Sequence, residues 1–265
     1  MSSGFDSAVG SAAQLVRDCE EITVLTGAGI STDSGIPDFR GPNGVWTKDP
    51  GAVARATLQA YLSDPVLRRD SWRRRLEQSE ADTEPVRPNS AHRALLDLEH
   101  RGQLRAIVTQ NVDGLHQRAG SEPGLVIEVH GNLHACRCLS CGDRTPMSEA
   151  LARVAAGEDD PACLGCGGIL KSATISFGQA LDPQVFRAAV WAASECELLL
   201  VIGTSLTVRP VADLARIAAE AGASIVIVNA TPTPYDSLAE IVVRDPIGAA
   251  VPVIVGSDEG LAVAL

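Results

Sequence analysis

Residues 21–31 read EITVLTGAGIS, a short β-rich run that ends without a spacer in Gly27-Ala28-Gly29. A short apolar run that meets a glycine turn reads as a buried strand. The same form recurs at residues 104–109 (LRAIVT), 125–129 (LVIEV), 197–202 (ELLLVI, followed by Gly203-Thr204-Ser205) and 224–228 (SIVIV). Runs that are apolar almost throughout, rather than alternating, suit the central strands of a parallel sheet covered on both faces. Between the last two runs, Pro210 stands where a helix can begin, and Gly222 stops it after about Ala221, so strand, helix and strand form a βαβ unit. Two further helices are signalled by their caps. Asp182-Pro183 precedes QVFRAAVWAASE, and Asn89 or Ser90 precedes Ala91, Ala94, Leu95 and Leu98 at helical spacing. An α/β fold built on a parallel sheet is the reading that joins these elements.

Composition bounds what surrounds that sheet. Hydrophobic residues make up 45% of the 265 and charged residues 21%, which excludes a disordered or fibrous class and leaves room for one large domain with or without a small one. The 33 acidic against 22 basic residues give a net charge of -11, which opposes binding to phosphate backbones and suits a basic partner, so direct nucleic-acid binding is not expected. No apolar run reaches the length of about 18 residues that marks a membrane helix, and the N-terminal stretch lacks a basic start followed by an apolar block. A cytoplasmic protein with no membrane partner is expected. Residues 49–87, with Trp72 beside Arg73, Arg74 and Arg75 and with scattered acids, are too polar for a central sheet segment and read as a helical insertion.

Five of the seven cysteines fall in residues 136–166, a clustering that argues for metal rather than disulfides. Cys138-Leu-Ser-Cys141 and Cys163-Leu-Gly-Cys166 are C-x-x-C pairs separated by 21 residues, each able to present two thiolates to one tetrahedral ion, with zinc as the natural occupant. Four sulfur ligands leave no open position, so such a site is structural. Free or transiently oxidised thiols are the alternative reading. Cys136, with one residue between it and Cys138, reads as a spare thiol, and His134 as a neighbour of the metal at most.

The glycine loop is a weak signal alone. Gly27 can supply a tight turn and Gly29 can let backbone approach a pyrophosphate, but a dehydrogenase fingerprint places a third small residue where this chain has Thr32, and an acid at the end of a second strand about 20 residues on. In place of that second strand the chain has residues 35–41 (GIPDFRG), a loop with an aromatic and an arginine that can fold over a nucleotide; a plain turn is the competing reading. Residues 109–116 (TQNVDGLH) stand at the end of a parallel strand, where open α/β sheets place ligands. Gln110, Asn111 and Asp113 arrive there together, and helix capping would account for one of them only. His130 ends another strand and is the best general-base candidate, since imidazole titrates near neutrality, although a strand-end histidine is often structural. His92, His100 and His116 fall in helical or turn positions and carry no expected chemical role.

Taken together, GAGISTDSGIPDFRGPNGVW, TQNVDGLHQRAG, VIEVHG, the paired C-x-x-C, GTSLTVRP and IVIVNA occur in an order and spacing that resemble the sirtuin family, from about residue 21 to residue 255. The resemblance implies a Rossmann-type domain (1–48, 98–135 and 171–265) with a small domain made of a helical insertion (49–97) and a zinc-binding insertion (136–170). NAD and an acyl-lysine peptide would enter the cleft between them. It implies NAD-dependent protein-lysine deacylation, with deacetylation foremost: nicotinamide leaves, the acyl oxygen attacks the ribose carbon, His130 deprotonates a ribose hydroxyl, and 2′-O-acyl-ADP-ribose is released. Asn111 would order the ribose, and Asp113 with the Val112 backbone would hold the carboxamide. Phe39 would cover the reactive ribose face. Gly27, Ala28, Gly29, Asp38, Arg40, Trp46 and Gln110 would line the cofactor, with Gly203, Thr204 and Ser205 toward its phosphates, and Asn229, Ala230 and Ile247 toward its adenosine.

The peptide would lie as an added strand between Phe177-Gly178 and Val208. Gln179 stands where many relatives carry glutamate. Relatives that prefer acidic acyl groups carry a tyrosine and an arginine where this chain has Trp72 and Arg75; an exposed basic helix face is the competing reading of that arginine. Two other activities are compatible with the same residues, NAD-dependent ADP-ribosyl transfer to protein and non-catalytic sensing of NAD or peptide. The presence of His130 together with Asn111 and Asp113 favours catalysis.

Overall fold

The computed structural model describes residues 5–81 and 86–257, so the outer ends of the expected Rossmann-type segments, and residues 82–85 of the helical insertion, lie outside the described residues. Six parallel strands form the large sheet: Ile22–Thr26 (β1), Leu104–Thr109 (β2), Val126–Glu128 (β3), and, after a second, smaller sheet of Gly131–Cys138 (β4), Arg144–Pro146 (β5) and Leu170–Thr174 (β6), then Leu198–Ile202 (β7), Ser224–Val228 (β8) and Ile241–Val243 (β9). Their spatial order is β3-β2-β1-β7-β8-β9. The chain runs outward from β1 in one direction, then returns to build in the other, so the order reverses between β1 and β7. That reversal is the doubly wound, Rossmann-type arrangement.

The helices are Phe5–Asp18 (α1), Val45–Lys48 (α2), Ala52–Arg55 (α3), Leu58–Ser63 (α4), Pro65–Ala81 (α5), Ser90–His100 (α6), Leu115–Ala119 (α7), Met147–Ala155 (α8), Pro183–Ser194 (α9), Leu214–Glu220 (α10) and Ile247–Val255 (α11). Alternation along each strand decides which helix it meets. Ile22, Val24, Leu198 and Leu200 face α1, α6 and α11 through Val16, Leu95, Leu98 and Ile254. Leu25, Leu199 and Val201 face α9 and α10 through Ala189, Ala192, Leu214 and Ala218. Each such aliphatic side chain, removed wholly from water, contributes about 1.5–3 kcal/mol, and the five-residue β1 and β7 are buried at every position.

Two caps are formed as the sequence suggests: Asn89 Oδ1 accepts from the backbone N–H groups of Ala91 and His92, and Asp182 Oδ1 from those of Gln184 and Val185. The helix expected to start at Pro210 begins later. Residues Val211–Asp213 form a 3-10 turn and α10 starts at Leu214, because Pro210 and its neighbours are absorbed by the turn after the β7 loop. The run at 125–129 is likewise trimmed to β3, with Pro123–Leu125 in a 3-10 turn before it.

The smaller sheet is antiparallel, ordered β5-β4-β6. It carries α8 and meets α4 and α5 of the helical segment. Trp72, Cys136, Met147, Ala150 and Leu170 form a shared small core, Tyr61 Oη donates to the Leu170 carbonyl at 2.8 Å, and Arg68 pairs with Asp160 at 2.9 Å. Helical and cysteine-bearing segments therefore pack as one unit. Among the described residues no helix is long and apolar enough to cross a membrane.

Candidate functional site

At the reversal between β1 and β7, the loops leaving the carboxyl ends of the strands converge. Gly27 is extended (φ -133°, ψ -172°), so it does not make the tight turn expected of it. A Cβ there would lie 2.7 Å from Thr204 Cβ, and one on Gly29 would lie 2.7 Å from Gly203 Cα. Gly203 has φ +64°, and its missing Cβ would fall 2.4 Å from the Ile30 nitrogen. Gly29 N–H donates to the Gly203 carbonyl at 2.8 Å. These glycines weld the β1 loop to the β7 loop, and the close approach they allow is between two stretches of the protein's own backbone. After Gly27 the chain winds into a 3-10 turn, Ala28–Ser34.

Against that welded floor stands a hydrogen-bonded polar group. Asn111, 9% exposed, donates through Nδ2 to the Gly27 carbonyl and to Ser31 Oγ, both at 3.1 Å. Ser31 Oγ donates to Asp113 Oδ2 at 2.8 Å, and Asp113 Oδ1 accepts from the Leu115 N–H at 2.9 Å. Gln110 Nε2 donates to Thr204 Oγ1 at 2.9 Å. Val112 is held through its carbonyl, which accepts from Leu133 N–H at 3.0 Å. Ser31 is the member of this group that sequence reasoning missed. Its partner Asp113 lies 82 positions away, so no local spacing could have disclosed it.

His130 lies where β3 passes into β4, and its Nδ1 sits 3.0 Å from the Gln110 carbonyl oxygen. A carbonyl only accepts, so Nδ1 carries the proton and Nε2 is left bare as a base. Burial pushes the imidazole below its ordinary pKa, with the Gln110 hydrogen bond opposing, so the ring is neutral at physiological pH. His134 is not a neighbour of the metal: its Nε2 lies 3.1 Å from the Asp113 carbonyl, and it is not part of the cysteine cluster. Left-handed Gly114 (φ +69°) makes room for it, since a Cβ there would meet His134 Nε2 at 2.6 Å.

The loop at residues 35–48 is organised by Trp46. Its ring lies 4.8 Å from Phe39 and 5.3 Å from Phe177, with the Arg40 guanidinium 4.4 Å above it. Asp38 Oδ1 turns the loop by accepting from Gly41 N–H at 2.9 Å. Ring contacts thus join this loop to Phe177, while Phe39 stays 42% exposed. The Phe177 N–H donates to the Ala56 carbonyl and its carbonyl accepts from the Leu58 N–H, so these backbone groups are engaged with the helical segment. Gly178 next to it is exposed, and the Val208 carbonyl accepts from the Ala212 N–H at 2.9 Å.

At the end of β8, Asn229 Nδ2 donates to the Thr231 carbonyl at 2.8 Å, and Arg244 donates to the Asn229 carbonyl at 2.7 Å, with Ala230 exposed between them. Ser205 Oγ lies 2.9 Å from Thr207 Oγ1. Ile247 opens α11, and a Cβ on the adjoining Gly248 would fall 2.4 Å from Asp33 Oδ2, which sets this helix start against the 3-10 turn.

The metal centre is separate. Cys138, Cys141, Cys163 and Cys166 place their four Sγ atoms within 4.8 Å of one another, with Cys138 and Cys166 3.5 Å apart and Cys141 and Cys163 3.7 Å apart. Tetrahedral zinc with bonds of about 2.3 Å sets its sulfur ligands roughly 3.8 Å apart, so the cluster fits that ion. The N–H groups of Cys141 and Ser140 point at Cys138 Sγ and lower its pKa, while contact among the sulfurs raises those of Cys141 and Cys166. Cys136 instead points into the small core, 3.5 Å from Met147 Sδ.

Comparison with known proteins agrees with this geometry. The chain is 52% identical over 233 residues to NAD-dependent protein deacetylase 2 of Streptomyces coelicolor, covering 88% of this chain and 95% of that one. It is 39% identical to NAD-dependent protein deacylase 2 of Pyrobaculum aerophilum, covering 92% and 93%. A solved Sir2 enzyme superposes with a TM-score of 0.83 at 36% identity over 97% of this chain and 99% of that one, and a Sir2–p53 peptide–NAD+ complex with 0.78 at 32% identity over 94% and 97%. The sequence pattern of the Sir2 family matches residues 27–210. With that match spanning the glycine loop, Asn111, His130 and the four cysteines, the chain belongs to the Sir2 family.

Proposed function

We propose that the protein is an NAD-dependent protein-lysine deacylase, deacetylation foremost, which moves the acyl group of an acyl-lysine onto ADP-ribose and releases nicotinamide. The observation that carries this reading is His130, neutral, with its proton fixed on Nδ1 by the carbonyl of Gln110, the residue that precedes Asn111 of the Asn111–Ser31–Asp113 group. NAD, when bound, supplies the electrophilic ribose carbon, so no serine nucleophile or metal-activated water is required. Asn111 orients the ribose, Asp113 and the Val112 backbone hold the carboxamide, and His130 Nε2 accepts the proton of a ribose hydroxyl. Phe39 and Trp46 close the loop over the ribose, Ala28, Asp38, Arg40 and Gln110 line the cofactor, Gly203 to Ser205 take its phosphate side, and Asn229, Ala230 and Ile247 its adenosine side. The acyl-lysine peptide runs between Phe177-Gly178 and Val208.

Arg75 separates from its neighbours in a way that bears on acyl choice. Arg73 and Arg74 are exposed, whereas Arg75 turns inward and donates to Ser172 Oγ at 3.0 Å, with burial lowering its pKa. It is the residue that would decide whether acidic acyl chains are accepted. Trp72 is 1% exposed within the small core, and its Nε1 meets no hydrogen-bond partner among the described residues. The four thiolates of the zinc site suit a reducing compartment, which supports a cytoplasmic location.

Incubation with an acetyl-lysine peptide and NAD, read by mass, tests the proposal. Loss of the acetyl mass with appearance of acetyl-ADP-ribose is expected. An ADP-ribose mass added to protein, or binding of NAD with no turnover, would replace this reading with transferase or sensor function.

A further inference from the structure

Behind the Asn111–Asp113 pair lies a second polar chain, built from residues with no expected chemical role. His116, on α7, is 1% exposed, and its Nε2 lies 3.0 Å from Thr26 Oγ1. Thr26 Oγ1 donates to Thr109 Oγ1 at 2.8 Å, and Thr109 Oγ1 accepts the Asn111 N–H at 3.1 Å. Thr26 and Thr109 are register partners at the last positions of β1 and β2, where both strands give way to the site loops. Proton counting gives the chain a direction. The Thr26 hydroxyl proton is engaged with Thr109, so at the other contact Thr26 accepts and His116 Nε2 donates.

His92 fixes the opposite face. Its ring lies 5.0 Å from that of His116, and its Nδ1 is 3.0 Å from Asn89 Oδ1, an acceptor, so His92 carries its proton on Nδ1. The nitrogens without hydrogen, Nδ1 of His116 and Nε2 of His92, are buried and meet no hydrogen-bond partner among the described residues. Burial holds both rings neutral, with His92 lowered to about 4 and His116 to about 3. Burying a bare ring nitrogen costs free energy that an aliphatic side chain of similar volume would not incur, so packing alone does not account for an imidazole here.

We propose that His116 is a positioning residue, whose Nε2–H, acting through the Thr26 and Thr109 hydroxyls, fixes the Asn111 backbone and with it the placement of the Asn111 carboxamide against the cofactor. The inference rests on the reading that Asn111 touches NAD. It differs from the role of His130 in its kinetic signature, because a displaced Asn111 slows the first step, and every later step inherits the loss.

The test compares two amides at one position. In His116→Gln the amide nitrogen can reach the place of Nε2 and donate to Thr26; in His116→Asn it stops one bond short, near the place of Nδ1. Misplacement of a positioning group by about 1 Å costs up to about 10²-fold in rate. His116→Asn is therefore expected to lose about 10- to 10²-fold in kcat for nicotinamide exchange and deacylation alike, with KM for NAD little changed, while His116→Gln recovers most of that loss. Melting temperatures of both variants are measured in parallel. Equal rates in the two variants, or rates that simply follow the melting temperatures, would overturn the proposal. On the unaltered protein, nitrogen NMR should find the His116 proton on Nε2, and a proton on Nδ1 would overturn it without any variant having to fold. Asn111→Ala is the control for the underlying reading: full exchange activity in that variant removes Asn111 from the cofactor site, whereas an inactive Asn111→Ala beside equivalent Gln and Asn variants removes the relay alone.

Discussion

The large sheet and the small three-stranded sheet present their functional residues in opposite ways. In the large sheet, β1 and β7 are buried at every position, and the loops that leave them are fixed by glycine contacts, by the Gln110–Thr204 hydrogen bond and by those linking Asn111, Ser31 and Asp113. The small sheet has a core of a few side chains around Trp72 and Leu170, and it carries the cysteine cluster at one end. The first region is held by apolar burial and can keep its polar site in place without a metal. The second has a core of only a few side chains, so an ion held by the four thiolates would supply much of its stability. The Asn111–Ser31–Asp113 group is therefore anchored on the part with the larger apolar core, and the cysteine cluster on the part with the smaller one.

Removing the metal should break this contrast most severely. Cys141→Ser, or a strong chelator, is expected to release about one zinc per chain, unfold the small region and abolish deacylation, while the parallel sheet stays folded. Metal content and circular dichroism check this, and a metal-free protein that is fully folded and active would contradict it. The reciprocal experiment strikes the large region. Gly203→Ala places a Cβ against the Ile30 nitrogen at a left-handed position, and a loss of about 2–4 kcal/mol in stability is expected from strain and overpacking together. Zinc stoichiometry should be unchanged, as denaturant unfolding with parallel metal analysis would show.

Arg75 reaches from α5 to Ser172 on β6, so Arg75→Met is expected to reduce desuccinylation much more than deacetylation, because only the succinyl group offers a carboxylate for a charge-assisted pair. Equal loss with both peptides would return Arg75 to a structural role. The smallest effect concerns pH. The folded pKa of His130 is lowered, so its base form persists below the ordinary imidazole value, and deacylation falls only as pH drops through the lowered pKa. The acid limb of kcat/KM should therefore lie below 6.5 and disappear in His130→Ala.

How much of this is legible in the sequence depends on the range of each interaction. The strands and both side-chain caps are local, and apolar runs with Asn89 or Asp182 placed ahead of a helix disclose them directly. The C-x-x-C pairs are local knuckles, and the fourfold site comes from knowing that zinc wants four. Contact between distant segments is what stays hidden. Gly27 and Gly29 look like nucleotide-loop glycines, yet their small size serves the approach of Gly203, which no spacing rule connects to them. Ser31, Thr26 and His116 are ordinary residues in sequence, and only the pairing of β1 with β2 aligns them behind Asn111. His134 misleads for the same reason: it is close to the cysteines in sequence, but the direction of β4 carries it toward Asp113. The backbone engagement of Phe177 with Ala56 and Leu58 likewise joins the helical insertion to a segment more than 100 positions away.

If His130 acts as a base after nicotinamide has left, two rates in one mutant separate the steps. In His130→Ala, exchange of labelled nicotinamide into NAD reports the first step, and formation of O-acyl-ADP-ribose reports the whole reaction. Deacylation should fall by about 10²- to 10⁴-fold while NAD binding stays intact and exchange survives better than product formation. Near-normal deacylation in that mutant, or equal loss of both rates at unchanged NAD affinity, would contradict it.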